Sequence, residues 1–209
     1  MKNTTLRPKL KLSLGQFLSF IIFISLPMIS HAEDKQAVSS EEVTGSAERE
    51  VNKHSVGIGV GETFLFGRYE NFGDSKITGD FYYSYSASYS FDLVLNAHSS
   101  SHQFKDDSVW LRGYTMSIKG RPYEFDSFSP YYLAGLGFYT PQIEDDTEKS
   151  RVKTTFGFNL GTGVDLRLNR SMTVGILGHL HKPFDIRQEE MATVSGSYFK
   201  LLITTSYTF

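Results

Sequence analysis

The strongest constraint on this chain is a side-chain period of two that recurs from residue 54 to residue 209. Between residues 77 and 91 the odd positions are Ile77, Gly79, Phe81, Tyr83, Tyr85, Ala87, Tyr89 and Phe91, and the even ones are Thr78, Asp80, Tyr82, Ser84, Ser86, Ser88 and Ser90. A helix would scatter both sets around its circumference, whereas a strand sends successive side chains to opposite faces. One face is aromatic and the other a ladder of serines, so the two sides of this strand meet different surroundings. Residues 152–168 repeat the pattern, with Phe156, Phe158, Leu160, Val164 and Leu166 opposed to Gly157, Asn159, Gly161, Asp165 and Arg167. So do residues 198–209, with Phe199, Leu201, Ile203, Tyr207 and Phe209 opposed to Tyr198, Lys200, Thr204 and Ser206.

Weaker alternation at 55–66, 93–101, 109–119, 130–139 and 173–181 brings the expected strands to eight. The connections at 67–75, 102–108, 140–151 and 182–195 read as longer polar loops, those around 90–92 and 169–171 as short turns, and 121–128 as intermediate. Residues 54–209 give roughly 20 residues per strand and connection, which suits eight tilted membrane strands of about 9–11 residues with short turns on one side and longer loops on the other.

The first 32 residues are of another kind. Lys2, Arg7, Lys9 and Lys11 precede an apolar stretch at 17–29, and Ser30-His31-Ala32 follows as a small-x-small triplet. The stretch is short for a membrane span and has the order of a secretory signal, so cleavage after Ala32 is expected. The whole chain carries 21 basic and 23 acidic residues; without the signal 17 basic residues face 23 acidic ones, a net charge of −6. That balance argues against a nucleic-acid partner, which demands a concentrated basic surface, and the absence of Cys excludes disulfides and thiolate metal sites. Residues 33–53 are rich in Glu, Ser, Lys and Ala without hydrophobic periodicity and read as a periplasmic tail or linker.

No segment after the signal is apolar over a helix-span length, so the expected class is all-β: an eight-stranded antiparallel up-and-down transmembrane barrel over 54–209. A soluble, lipocalin-like barrel with an apolar ligand cavity is the competing architecture. Two features favour the membrane. The polar faces carry glycine clusters (Gly57, Gly59 and Gly61; Gly157, Gly161 and Gly163), which suit a narrow interior. Aromatics gather toward strand ends, Tyr89, Phe91, Tyr207 and Phe209 at one and Trp110, Phe138 and Phe156 at the other, as two interfacial girdles require.

Export signal, eight amphipathic strands and the closing Tyr207-Thr208-Phe209 together resemble the small outer-membrane β-barrels of Gram-negative bacteria, the OmpA/OmpW-like group. The resemblance covers about 54–209. It implies that Tyr207 and Phe209 form an assembly signal read by the barrel-assembly machinery, although Thr204 and Leu202 stand where that pattern has Gly and a polar residue. It implies further that the protein meets periplasmic chaperones during biogenesis and outer-membrane lipids and lipopolysaccharide afterwards, in the outer membrane, as a structural or small-solute-handling, porin-like barrel without catalytic activity.

Asp80, Asp165, Arg167 and Lys200 fall on polar faces and are expected to pair in the lumen, since charge facing lipid is costly. Arg112 shares phase with Trp110 and Tyr114 and is expected to snorkel toward headgroups. His98 sits beside Asn96 and Ser100 on one face. An activated serine with Asp80 or Glu62 orienting the imidazole is the enzymatic alternative, and His-x-Ser faintly resembles outer-membrane lipid A deacylases; the phase of Leu93, Leu95 and Ala97 instead makes His98 a polar lumen residue. His179 and His181 share a face, but with no third ligand evident they read as hydrogen-bonded lumen or rim residues, and neither metal nor other cofactor is expected. The acidic run at 144–146 reads as a solvated loop tip.

Overall fold

The structure, a computed structural model, describes residues 51–209 apart from 106, 124, 126, 145–149, 151 and 187–192. The expected signal, the tail as far as residue 50 and most of the acidic run lie outside the described residues. The elements are β1 (His54–Gly67), the one-turn helix α1 (Tyr69–Phe72), β2 (Lys76–Ser86), β3 (Phe91–Phe104), β4 (Asp107–Gly120), β5 (Phe128–Tyr139), β6 (Gln142–Glu144), β7 (Thr155–Arg167), β8 (Met172–Pro183) and β9 (Gly196–Thr208). Each long strand pairs antiparallel with its sequence neighbours, and β1 pairs with β9 from Ser55↔Thr208 to Gly67↔Gly196, which closes the sheet into an eight-stranded barrel. Closure is what lipid demands, because hydrocarbon offers nothing to an open edge.

The ninth segment is not an extra strand. In β4–β5 the pair Gly113↔Tyr139 and in β4–β6 the pair Trp110↔Gln142 share one register, bridged by a bond from the Thr140 amide to the Arg112 carbonyl. Pro141, lacking an N–H, interrupts the ladder between them, so β6 is the tail of the fifth strand carried into what the sequence suggested was loop.

Three other boundaries differ from expectation. The second strand ends at Ser86, and Phe91 opens β3; residues 87–90 form the turn, in which the Ser88 hydroxyl accepts from the Ser90 and Phe91 amides. The polar stretch at 102–108 is not a loop: β3 and β4 stay paired out to Phe104↔Asp107, and Lys105, next after Phe104, adopts φ 57°. An antiparallel pair needs only its own hydrogen bonds to continue into water, so polarity there marks where the hairpin leaves the membrane and not where it ends. Between β2 and β3, by contrast, pairing stops early, at Asp80↔His98. That is where the outward face of β3 changes from Leu93, Leu95 and Ala97 to Ser99 and Ser101, so the unzipped backbone lies beyond the apolar band. There the loop before β2 leans in, the Asp74 carbonyl accepting from His102 Nδ1 at 2.9 Å.

Outside, the barrel is apolar: Ile58, Val60, Phe81, Met116, Ile118, Leu136, Leu160, Ile176 and Ile203 are all exposed. Inside it is narrow enough to need glycine. A methyl group on Gly61 would run into the Leu201 carbonyl oxygen of the neighbouring strand, and one on Gly113 would lie 2.6 Å from the His98 ring.

Candidate functional site

Strand phase and register stack the inward side chains in four layers. At the mouth where β1 starts and β9 ends, Lys119 and Arg121 pair with Asp165, and Arg121 also reaches Asp92 at 2.6 Å. Arg167 lines the same mouth. Above it Tyr131, Leu177 and Leu202 form an apolar belt against which Tyr82 packs. Tyr131 lies over Gly163, its register partner, filling the space that the missing side chain leaves.

The third layer holds most of the polar residues singled out from sequence. Lys200 donates to Asp80 at 2.6 Å, and both side chains are at 0 % exposure. Asp80 also accepts from Asn96 Nδ2 and from the Tyr82 hydroxyl, each at 3.1 Å. Because Asn96 turns its amide nitrogen to Asp80, its Oδ1 faces His98 Nδ1 at 2.9 Å and must accept from it; His98 Nε2 is then the acceptor for the Tyr198 hydroxyl at 2.6 Å. One chain of bonds thus runs from Lys200 through Asp80, Asn96 and His98 to Tyr198. His179 meets Asn159 Oδ1 at 3.0 Å and His181 meets the Tyr139 hydroxyl at 3.2 Å, both imidazoles wholly enclosed. His181 is also 4.7 Å from His98 and 4.0 Å from His179, ring centre to ring centre. Among the described residues no group of three His, Asp, Glu or Cys has metal-binding geometry, although three imidazoles lie together.

The fourth layer is an apolar plug built from Leu65, Tyr69, Val109, Leu111, Tyr139, Ile143, Ile186, Val194 and Tyr198. Tyr69 comes from α1 and Ile186 and Val194 from a bridge in the loop before β9, so the far connections fold inward and cap the lumen. Burial pushes the Tyr69 phenol above its ordinary range, with Asp185 adding to the shift.

The enzymatic alternative is not assembled as the sequence suggested. Ser100 Oγ lies 3.0 Å from His102 Nε2, not against His98, and Asp80 is engaged by Lys200 while Glu62 points outward. Since the Asp74 carbonyl fixes the proton of His102 on Nδ1, Ser100 donates to Nε2. Sequence reasoning missed His102, whose i, i+2 spacing from Ser100 was the available signal. Both residues are buried, His102 completely.

The aromatics expected at the interfaces stand on the outer surface. Phe138 and Phe156 are register partners with rings 5.5 Å apart, Phe184 adjoins Phe156, and Trp110 stacks under the Arg112 guanidinium at 5.6 Å, all toward the plugged end. Tyr207, Phe209, Phe91 and, in the turn, Tyr89 are exposed at the other end, with Phe209 beside His54 at 6.1 Å.

Residues 37–181 match the family model of the outer membrane protein beta-barrel domain. No curated protein matches the chain in sequence. Among solved structures, Neisserial surface protein A is similar with a TM-score of 0.60 at 10 % identity, over 76 % of this chain and 97 % of that one. Ail, the attachment invasion locus protein of Yersinia pestis, gives 0.52 at 11 % identity, over 77 % of this chain and 100 % of that one. OprG from Pseudomonas aeruginosa gives 0.52 at 13 %, over 79 % and 99 %. At such identities the likeness is one of fold alone. The closed, outwardly apolar barrel and the family match agree: the chain belongs to the outer membrane protein beta-barrel domain family and is a protein of the bacterial outer membrane.

Proposed function

We propose that this protein is a non-catalytic structural barrel whose lumen does not conduct. The observation that carries the reading is the enclosure of Lys200, His179 and His181 at 0 % exposure between the Tyr131/Leu177/Leu202 belt and the plug above. An ion crossing the barrel would have to break the Lys200–Asp80 pair and pass two layers of mostly apolar side chains, which offer little to replace its hydration shell. An eight-stranded barrel has an interior that side chains fill, which is the general reason that narrow barrels anchor and present more readily than they conduct. Purified barrel in a planar bilayer is expected to give no stepwise conductance under applied voltage; reproducible unitary steps, abolished by filling the lumen further, would replace this reading with the porin-like one.

Absence of catalysis is supported by the burial of Ser100 and His102 and by the engagement of His98 with Tyr198. Lipid A from cells carrying H98A, S100A or H102A is expected to be unchanged, and any loss of a modification would revive the enzymatic alternative. On this reading the outward faces meet outer-membrane lipid and lipopolysaccharide, and assembly machinery and chaperones meet the chain before it folds, through Tyr207 and Phe209. Cleavage of the signal predicts a mature protein beginning at Glu33.

A further inference from the structure

On the lipid-facing side of the wall a groove runs along β3. Ala97 on β3 is the register partner of Phe81 on β2 and of Tyr114 on β4. Both rings are exposed and stand clear of the sheet with only a methyl group between them, so they wall a channel floored by Ala97, which continues over Leu95 toward the short-turn end. In the other direction Gly79 and Ser99 prolong it. There the β2–β3 ladder has already stopped, at Asp80↔His98, and the facing backbone edges of residues 77–79 and 99–101 have no backbone partner among the described residues. The register partner of Ser99 on its other side is Arg112, which is exposed on the outer face with its guanidinium 5.6 Å from the Trp110 ring centre. Trp110 belongs to the aromatic girdle at this end, and Arg112 stands two residues, about 7 Å, closer to the membrane midplane. It makes no ion pair with any described residue. A cation at that depth on a lipid-facing wall is costly unless an anion meets it, and the anions that a membrane offers there are headgroup phosphates.

We propose that this groove is a binding site for one molecule of lipid A, the phosphorylated, acylated anchor of lipopolysaccharide: an acyl chain lies over Ala97 between Phe81 and Tyr114, and a phosphate meets Arg112. Two strand spacings separate the backbones that carry the two rings, about 10 Å, which admits a single hydrocarbon chain between them. The guanidinium presents a planar fork of donors that matches phosphate oxygens, and its stacking on Trp110 holds it at the wall. The open backbone edges beside Ser99 choose between lipids. They offer both N–H and C=O groups, which hydrocarbon leaves unmet. Lipid A carries amide and hydroxyl groups at the head of its chains, which donate and accept, whereas the esters of a glycerophospholipid only accept. The groove also lies toward the end opposite the short turns, which is the outer-leaflet side of an outer-membrane barrel. The site rests on the contact with outer-membrane lipid proposed for the outward faces, and it does not depend on whether the lumen conducts.

The test is native mass spectrometry of the full-length mature barrel, folded in a glycoside detergent and titrated with hexa-acylated, bisphosphorylated lipid A. Wild type is expected to saturate at one retained lipid per barrel. R112Q, which removes the charge at an exposed position, is expected to weaken binding at least tenfold, A97L, which fills the floor of the groove, at least fivefold, and R170Q, at the opposite end of the barrel, not at all. Folding of each variant is read from the heat-modifiable shift on unboiled gels; should R112Q or A97L fail to fold, the other decides. Lipid A stripped of its phosphates is expected to bind wild type as weakly as the intact lipid binds R112Q. No saturable retention by wild type, undiminished binding by folded R112Q or A97L, or retention of phosphatidylglycerol as tight as that of lipid A overturns the proposal. A barrel that does not insert into phosphatidylcholine vesicles defeats the lipid-facing outer wall and the site with it, whereas one that inserts and shows no preference for lipid A defeats the site alone.

Discussion

Replacing Lys200 with Met tests the polar layer that closes the lumen. The substitution keeps a long unbranched side chain and removes one charge from a pair 2.6 Å apart, both of whose side chains are fully enclosed. Asp80 keeps its bonds from Asn96 and Tyr82, but these are dipoles and not a counter-charge. Breaking one partner of a buried ion pair typically costs about 3–5 kcal/mol; the two surviving hydrogen bonds place the expected loss toward about 3 kcal/mol. With a urea slope of about 2 kcal/mol/M, the unfolding midpoint of the barrel folded in detergent falls by about 1.5 M. Removing the orphaned charge as well, in D80N/K200M, is expected to recover at least half of that, because a neutral amide needs no counter-ion and still accepts from Asn96 and Tyr82. The assay is equilibrium urea unfolding followed by tryptophan fluorescence from Trp110, with identical endpoints approached from the folded and unfolded sides. A K200M midpoint within about 0.3 M of wild type, or a double variant no better than the single, refutes the view that this pair is a closed, mutually dependent unit.

Gly113→Ala is expected to cost about 2 kcal/mol or more in the same assay, since its methyl would meet the His98 ring at 2.6 Å, whereas Gly120→Ala, with nothing near the added atom, should change the stability by under about 0.5 kcal/mol. Asn169→Ala removes the carboxamide oxygen that accepts from the Ser171 and Met172 amides at 2.9 and 2.8 Å in the β7–β8 turn, at an expected cost of about 1 kcal/mol. Hydrogen exchange should find the open-side amides of residues 76–79 and 99–101 faster than those of 80–86 and 92–98, because the β2–β3 ladder ends at Asp80↔His98; equal protection across that point contradicts the seam. Phe209→Ala and Tyr207→Ala are expected to lower the amount of folded barrel in the outer-membrane fraction while leaving refolding in detergent unchanged, and a loss of refolding would make both residues structural instead of recognition elements.

Much of the barrel is legible in one dimension because a strand in a membrane wall answers to only two environments, lipid and lumen, and a period of two records which side chain meets which. Ile77, Phe81 and Tyr83 against Thr78, Asp80 and Ser84 state the orientation of β2 before any partner is known, and Asp80, His98, His179, His181 and Lys200 all follow their phase inward. Strand ends are less legible. Pairing at the membrane rim is decided by backbone hydrogen bonding and not by side-chain character, so the serine-rich tip at 99–108 continues as a hairpin while the equally polar seam beside it opens.

What the alternation cannot carry is which inward side chains meet. Lys200 and Asp80 are 120 residues apart, and His98 and Tyr198 are 100 apart; their contact follows from the register of strands across the closed barrel and from its diameter, neither of which leaves a local trace. The same holds for the plug, where Tyr69, Ile143, Ile186 and Val194 come from connections that periodicity reads as polar loop, and for the opposite mouth, where Lys53, Arg121 and Arg170 converge only once the sheet closes. The sequence by itself determined an outer-membrane barrel and the side of the wall each strand residue faces, because both depend on single-residue partition between lipid and lumen. The tertiary structure alone decided which inward side chains form the buried polar layer and which connections supply the plug, because those depend on which distant strands share a layer.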